Sequence, residues 1–359
     1  MKVIAFASYP IEAAATRYRL QQFVEPLLKR GISLTIKPFL NSKQFAALYK
    51  PRSLTSTAVG LTKAGLLRIA DGLGARRADV ILVQREAMNF GPPLIEWMAA
   101  RLFKRPMVLD LDDATYISYT SPTYGKLGQA LKWFSKTDDL IRWSSVVTCG
   151  NRAIADYAES KGAATRIIPT VVDTNTFTPV RRMPKGTLVL GWIGTHSTFP
   201  YLKTLFPILQ KLATTHSFKL RIIGAGEDSV SIPGVEVENL TWKLEREVED
   251  FQSFDIGLYP IESTLYAKNW AAGKSGFKAI QYMALEIPSV ASPVGVNTEI
   301  ITHNVNGFLC ESPDEWFEYL SMLIEQPDLR ARLGINGRKK IIESYSTSSN
   351  LSSFVSSFQ

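Results

Sequence analysis

Short apolar runs alternate with stretches of helical spacing along nearly the whole chain. The first run, Val3 to Ala7, predicts a buried strand. Leu20, Phe23, Val24, Leu27 and Leu28 follow at the spacing of one helix face, Gly31 ends that helix, and Pro26 inside it predicts a kink. Further strands are predicted over 33–36, 80–83, 107–111 and 145–149. The rhythm breaks over 169–186, which holds Pro169, Pro179 and Pro184 and no helical period, the marks of an inter-domain linker. It then restarts with strands over 188–193, 220–223, 255–259 and 289–291 and helices over 202–212 and 275–285. Strands separated by helices pair in parallel through right-handed crossovers. The expected architecture is therefore α/β: two Rossmann-like, doubly wound parallel sheets over 1–168 and 187–340, with a Ser-rich tail over 341–359 packing back on the first domain. Two such sheets in series are expected to face a ligand across a cleft with the carboxyl ends of their strands.

Composition narrows the class without choosing a function. The chain has 359 residues, 45% apolar and 21% charged, which suits a globular protein of two cores. Its net charge of +8 favours anionic partners, and charge alone does not choose between nucleotide phosphates, an anionic membrane surface and nucleic acid. Two cysteines, Cys149 and Cys310, are too few for a disulfide framework or a zinc site and point to a reducing cytoplasm. No run approaches the roughly 18 apolar residues of a membrane span, so a cytoplasmic chain is expected, at most peripheral on a membrane. One segment bears on that point. Over 41–78 there are seven basic residues against Asp71, with Leu66, Leu67, Ala70 and Leu73 among them. That mixture suits an anionic leaflet, and equally a merely basic surface.

The densest chemistry lies in "AAGKSGFKAIQYMALEIPSVASPVG", residues 271–295. Ser275 is a good N-cap for a helix whose start would offer backbone N–H groups to an anion. On that helix Phe277, Ile280 and Ala284 form the buried stripe, while Lys274, Lys278 and Gln281 gather on a neighbouring edge. The set suits a diphosphate followed by a ribose. The plainer reading is a solvated basic helix start.

Here a resemblance enters. "YMALEIPSVAS" resembles a signature of the retaining glycosyltransferases of family 4, which have the two-domain GT-B fold. In that family's order, "TRIIPTVVDTNTFTP" resembles its link between domains, "LVLGWIGTHSTFPYL" its second domain's opening strand and turn, and "LRIIGAGE" and "FDIGLYPI" two later strands. In the first half only "AATRYRLQQFVEPLLKRGISLTI" matches. The resemblance implies transfer of a sugar from a UDP- or GDP-sugar, with retention and without a required cofactor or metal, to a glycan or lipid-linked acceptor. Nucleic acid is not expected as a partner. It places the acceptor on the first domain and the donor on the second, at Gly194, Thr195, His196, Trp242, Lys274, Ser275, Gly276, Lys278 and Gln281. The family carries two glutamates around this helix start, and they fall here on Gly273 and Gln281, neither a carboxylate. Gln281 can bond ribose hydroxyls but cannot serve as a base. Ala13 to Ala15 also replace glycines of the first turn.

Other candidates are weaker. "VLDLDDATY" places Asp110, Asp112 and Asp113 at a strand end. Asp110 and Asp112 spell a metal-binding triplet of another glycosyltransferase fold, but the preferred roles are Asp112 and Asp113 as catalytic groups that orient sugar or acceptor, with a turn role as the alternative. Arg17 and Arg19 flank the first helix start and suit a phosphate or acceptor, or a solvated edge. Trp242 is either a stack under the donor base or a core tryptophan. His196 is a phosphate or sugar contact or a surface residue, while His216 and His303 are structural. The absence of G-x-S-x-G, H-E-x-x-H and P-loop motifs removes hydrolase, zinc peptidase and NTPase readings. An NAD-type oxidoreductase lacks its glycine fingerprint. A degenerate transferase that binds donor without turnover remains the other alternative.

Overall fold

A computed structural model describes residues 1–47, 54–118, 132–180, 186–226, 230–261 and 273–359, with side chains of 54–59 left out. Lys50 and Arg52 of the basic segment, and Pro184 of the expected linker, lie outside the described residues. The chain forms two compact units, Met1–Thr170 with Asn350–Gln359, and Val171–Ser349.

Unit 1 holds a six-stranded parallel sheet of β1 (Lys2–Ala7), β2 (Ser33–Pro38), β3 (Val80–Gln84), β4 (Met107–Leu111), β5 (Val146–Cys149) and β6 (Thr165–Ile167). Its order is β2-β1-β3-β4-β5-β6, with Val3 opposite both Leu34 and Val80. Unit 2 repeats the plan with β7 (Leu188–Ile193), β8 (Phe218–Ile223), β9 (Glu236–Leu240), β10 (Ile256–Tyr259), β11 (Ser289–Ala291) and β12 (Gly307–Leu309), in the order β12-β11-β10-β7-β8-β9. Winding starts at β1 and at β7 and reverses beside each. Each sheet therefore has a switch point, between β1 and β3 and between β7 and β10, where doubly wound folds leave a crevice at the strand carboxyl ends.

The expected strands are present with small shifts of boundary. Sequence reading missed β6, β9 and β12, all edge strands of the sheets. Edge strands are half-covered and short, so they lack the continuous apolar run of a buried parallel strand. In β9 the ladder is held partly by charge, with Arg221 of β8 forking onto Glu238 opposite it at 2.7 Å. Three helical expectations change. The first helix breaks at Leu20, between Ala14–Arg19 and a short Gln21–Phe23 turn, and not at Pro26. Pro26 sits in the first turn of Val24–Leu28, where a missing N–H costs nothing. The helix expected over 202–212 is two, Phe199–Lys203 and Phe206–Ala213. The polar tail forms the helix Thr347–Ser356, whose Phe354 packs against Phe23 with the rings tilted and their centroids 4.5 Å apart.

Unit 2 packs aromatic rings against its own switch point. Gly191 of β7 and Gly257 of β10 are opposite each other in register. A Cβ on Gly191 would lie 1.9 Å from the Phe254 ring, and one on Gly257 would lie 2.4 Å from the Tyr282 ring. Both rings are buried beside Phe251, which meets Tyr282 edge-on at 5.5 Å. The paired glycines thus let aromatic rings sit flat against the sheet. Gly191→Ala is expected to cost about 3 kcal/mol by overpacking, read as a lower urea midpoint at unchanged m-value.

Candidate active site

In unit 2 the carboxyl ends of β7, β8 and β9 are stitched into one floor. The Gly194 N–H donates to the Ile223 carbonyl at 3.0 Å, and the Gly224 N–H to the Leu240 carbonyl at 2.9 Å. Gly224 has φ +79, and a Cβ there would meet the Gly194 carbonyl at 2.4 Å and Trp242 Cβ at 3.2 Å. A Cβ on Gly226 would meet His196 Cβ at 3.2 Å. Gly194, Gly224, Gly226, His196 and Trp242 therefore converge, although the last lies 48 positions from the first. Thr195 and His196 are exposed on this rim, and the Thr198 hydroxyl donates to the Thr195 carbonyl at 3.2 Å. Trp242 is half-buried, and its indole Nε1 donates to Glu247 at 3.3 Å. It is thus neither a fully covered core residue nor loose on the surface.

The other lip of the switch point is the helix Phe277–Ala284. Its start corrects an expectation. Ser275 does not cap it; the N-cap is Gly276 at φ +63, with no side-chain cap. The first bonds run from the Ala279 and Ile280 N–H groups to the Gly276 carbonyl, at 3.0 and 3.4 Å. A Cβ on Gly276 would collide with Ile300 Cδ1 at 2.4 Å and Val296 Cγ2 at 2.8 Å, so a left-handed glycine is the residue that fits. The expected stripe is also too narrow. Ala279 through Ala284 are all buried, Gln281 among them at 4% exposure, while Phe277 is only half-buried. A helix covered on every side belongs to the core; it lies between β10, β11 and the long helix Pro327–Ser344.

Tyr282, which sequence reading did not single out, ties this helix to the switch point. Its hydroxyl donates to the Leu258 carbonyl at 3.2 Å and also bonds the Ile193 backbone, so it bridges the ends of β10 and β7. Lys278 lies one turn earlier, with its ammonium 5.1 Å from the Tyr259 ring centroid at the end of β10. Burial, and then the charge of Lys274, push Lys278 down to about 8. Among the described residues it forms no ion pair, so a cation is held near an aromatic face without a counter-charge. Lys274 and Ser275, half-buried, precede the helix.

In unit 1 the acidic cluster is spent differently from expectation. Asp110 is fully buried and takes a two-pronged bond from Arg19, whose Nε and Nη2 approach its two oxygens at 3.0 and 2.5 Å. The remaining Arg19 nitrogen Nη1 donates to the Ile168 carbonyl at 2.6 Å. Arg19 is 3% exposed, so it is an internal anchor and not a phosphate contact. Asp112 is gripped the same way by Arg85, at 2.6 and 2.8 Å. Burial would raise the Asp112 pKa, but Arg85 and then Arg19 hold it below the usual carboxylate range. Arg85, also missed in the sequence, sits at φ +62 just past β3. A non-glycine residue in that region is uncommon and is held here by the fork. Each aspartate of the triplet thus serves its own arginine, and the two do not share a cation position. Asp113 is half-buried, 4.0 Å from Arg85. Arg17 folds back so that Nη1 donates to the Ile11 and Glu12 carbonyls at 2.8 and 3.0 Å. Among the described residues no three His, Cys, Asp or Glu side chains gather as metal ligands, and no helix is long and apolar enough to cross a membrane.

Comparison with known proteins bears on the fold and on unit 2. Residues 178–340, within unit 2, match the family described as "Glycosyl transferases group 1". A stretch of 72 residues is 35% identical to the alpha-1,3/1,6-mannosyltransferase ALG2 of Homo sapiens, covering 20% of this chain and 17% of that protein; the Mus musculus protein is 33% identical over the same length. The match thus spans about a sixth of the length of these relatives. Among solved structures, HepE from Anabaena, described in complex with UDP and glucose, superposes with a TM-score of 0.68 at 16% identity, covering 99% of this chain and 100% of its own. Sucrose-phosphate synthase from Thermosynechococcus elongatus gives 0.66 at 15% identity, covering 99% and 97%. A glycosyltransferase from Rickettsia africae gives 0.68 at 12%, again covering 99% and 97%. The fold is that of the GT-B glycosyltransferases.

Proposed function

We propose that the chain is a glycosyltransferase that moves a sugar from a UDP- or GDP-sugar to a glycan or lipid-linked acceptor, with retention at the anomeric carbon and without a metal. The observation that carries this reading is the pairing, at the β7–β10 switch point, of a glycine-built backbone floor with Lys278, a half-buried cation of lowered pKa. The glycines let the strand ends close up beside Trp242 and His196, and the start of the helix Phe277–Ala284 offers its dipole and first-turn backbone N–H groups to an anion. In this proposal Lys278 and Lys274 offset the charge that develops on the departing diphosphate, in the place a metal holds elsewhere. Trp242 and the rim at Thr195 and His196 take the base and sugar side of the donor. Gln281, buried deeper in the helix, steadies the ribose end. The catalytic proposal in unit 1 narrows to Asp113 for the acceptor, with Asp112 as the group that Arg85 positions. The sequence match in unit 2 and the names of the relatives support the class of reaction.

A second reading is favoured by one observation: Gly273 and Gln281 carry no carboxylate. A protein of this kind could hold donor without transferring sugar. Calorimetry with UDP, GDP and their sugars, followed by transfer of labelled sugar to added membrane lipid, separates the two. The transferase reading expects binding of one nucleotide and label in the lipid fraction. Binding without transfer or hydrolysis supports the second reading, and no binding at all removes both.

A further inference from the structure

The helix Leu54–Gly74 is amphipathic in the sense opposite to a core helix. Its inward face is Ala64, Gly65, Arg68 and Gly72, all buried, while Leu66, Ile69 and Leu73 are 65%, 37% and 50% exposed. At about 100° per residue, Leu66, Ile69, Ala70 and Leu73 form one stripe opposite Arg68, with Leu67 along its border. The small inward residues let the helix lie close to its neighbours: a Cβ on Gly72 would sit 2.9 Å from Ile95 Cδ1. Arg68 fastens it from beneath, donating to the carbonyls of Lys37 and Ala7 at 2.8 and 3.0 Å and lying over the Phe6 ring. Leu66, Leu67 and Leu73 thus stay largely outside the core.

The adjoining helical segment repeats the pattern. Leu94, Trp97 and Leu102 are 42%, 45% and 56% exposed, while Ile95 and Ala99 are buried. The two segments are joined where Ile95 faces Gly72 and where Arg105 donates to the Arg76 carbonyl at 2.7 Å. Lys63, Arg76, Arg77, Arg101 and Lys104 are exposed on the same two segments and their ends, and none of the five is in an ion pair among the described residues. Asp71 is already held by Lys37 at 3.2 Å.

Exposed leucines gathered beside a tryptophan and unpaired cations mark a surface that is covered by something. A second copy of the chain would bring the same cations against each other, which opposes pairing. An anionic bilayer satisfies both chemistries at once: leucines enter the acyl boundary, tryptophan sits at headgroup level, and cations meet lipid phosphates. We infer that unit 1 docks on anionic lipid through the outward face of Leu54–Gly74 and the neighbouring segment around Trp97. This inference stands on the surface alone and does not depend on the transferase reading.

Co-sedimentation of the full chain with vesicles of phosphatidylcholine, alone or mixed with phosphatidylglycerol, tests it. Binding is expected to the mixed vesicles only and should weaken as salt is raised. At about fivefold per cation, Arg76→Gln with Arg77→Gln should lower the partition coefficient roughly 25-fold. Leu66→Gln with Leu73→Gln should lower it by a similar order through lost insertion. All four positions are exposed, so circular dichroism should be unchanged. Equal sedimentation with both vesicles, none with either, or binding that both variants leave intact overturns the inference. So does a dimer by light scattering that the leucine variant dissolves, which would make the face a contact between copies.

Discussion

Replacing Arg19 by Ala should cost about 3–5 kcal/mol, among the largest losses available to a single substitution in unit 1. The reason is asymmetric. The pair with Asp110 is buried on both sides, at 2% and 0% side-chain exposure, so removing the arginine strands a carboxylate away from water. Asp110 would keep a bond from the Thr148 hydroxyl at 2.6 Å, which cannot neutralise it. The Ile168 carbonyl would lose its donor as well. Replacing both partners by apolar residues of like volume, Arg19→Met with Asp110→Leu, should recover much of the loss, because no charge is then left buried. Urea unfolding followed by a fluorescence probe in unit 1 reads both. An Arg19→Ala variant as stable as the parent would mean that the ion pair does not hold the first helix to the sheet. Retention of nucleotide binding in that variant is expected too, since Arg19 is buried against Asp110 and the Ile168 carbonyl.

The second large effect concerns Lys278 and has a definite sign in pH. Its pKa in the folded chain is lowered to about 8 from an ordinary 10.5, by burial and then by Lys274. Below pH 8 the folded chain carries the full penalty of holding this cation. As pH rises from about 8 toward 10.5 the folded chain sheds the proton while the unfolded chain keeps it, so stability should rise relative to a Lys278→Met variant. A bound diphosphate reverses the preference by favouring the charged amine. Nucleotide affinity should therefore be greatest below pH 8 and fall above it, by up to about tenfold per pH unit while one proton is taken up on binding. Lys278→Met should weaken UDP or GDP binding roughly 30-fold at neutral pH, the worth of a charge-assisted bond, and should remove the pH dependence. Calorimetry at neutral and alkaline pH, in buffers of different ionisation heat, measures both affinity and proton uptake. Binding that is flat across this range in the parent protein would remove Lys278 from the site.

The alternation of apolar runs made both sheets legible, because buried parallel strands are written as continuous apolar stretches. It failed at β6, β9 and β12, where an edge position removes that signal. Helix starts were read less well. Ser275 looked like a cap because its hydroxyl suits one, yet the space beside Ile300 and Val296 selects Gly276, a constraint set by residues 20 and more positions later. The acidic triplet was visible, but its partners were not: Arg19 lies 91 residues from Asp110, and Arg85 lies 27 from Asp112. Side chains so far apart in sequence meet only when strands pair. Trp242 was left between two readings, and its half-buried place beside Gly224 comes from the β8–β9 stitching that no local pattern encodes. The outward leucines of Leu54–Gly74 were visible as a stripe, but the side on which they lie depends on Arg68, whose burial a sequence hides.

The central claim is that a nucleoside diphosphate is seated at the β7–β10 switch point of unit 2. A crystal structure with bound UDP or GDP tests it directly. The account predicts phosphate oxygens against the first turn of the helix Phe277–Ala284 and within hydrogen-bond reach of Lys278 Nζ, with the base toward Trp242. A nucleotide bound instead at the β1–β3 end of unit 1, with Lys278 still alone over Tyr259, would contradict it.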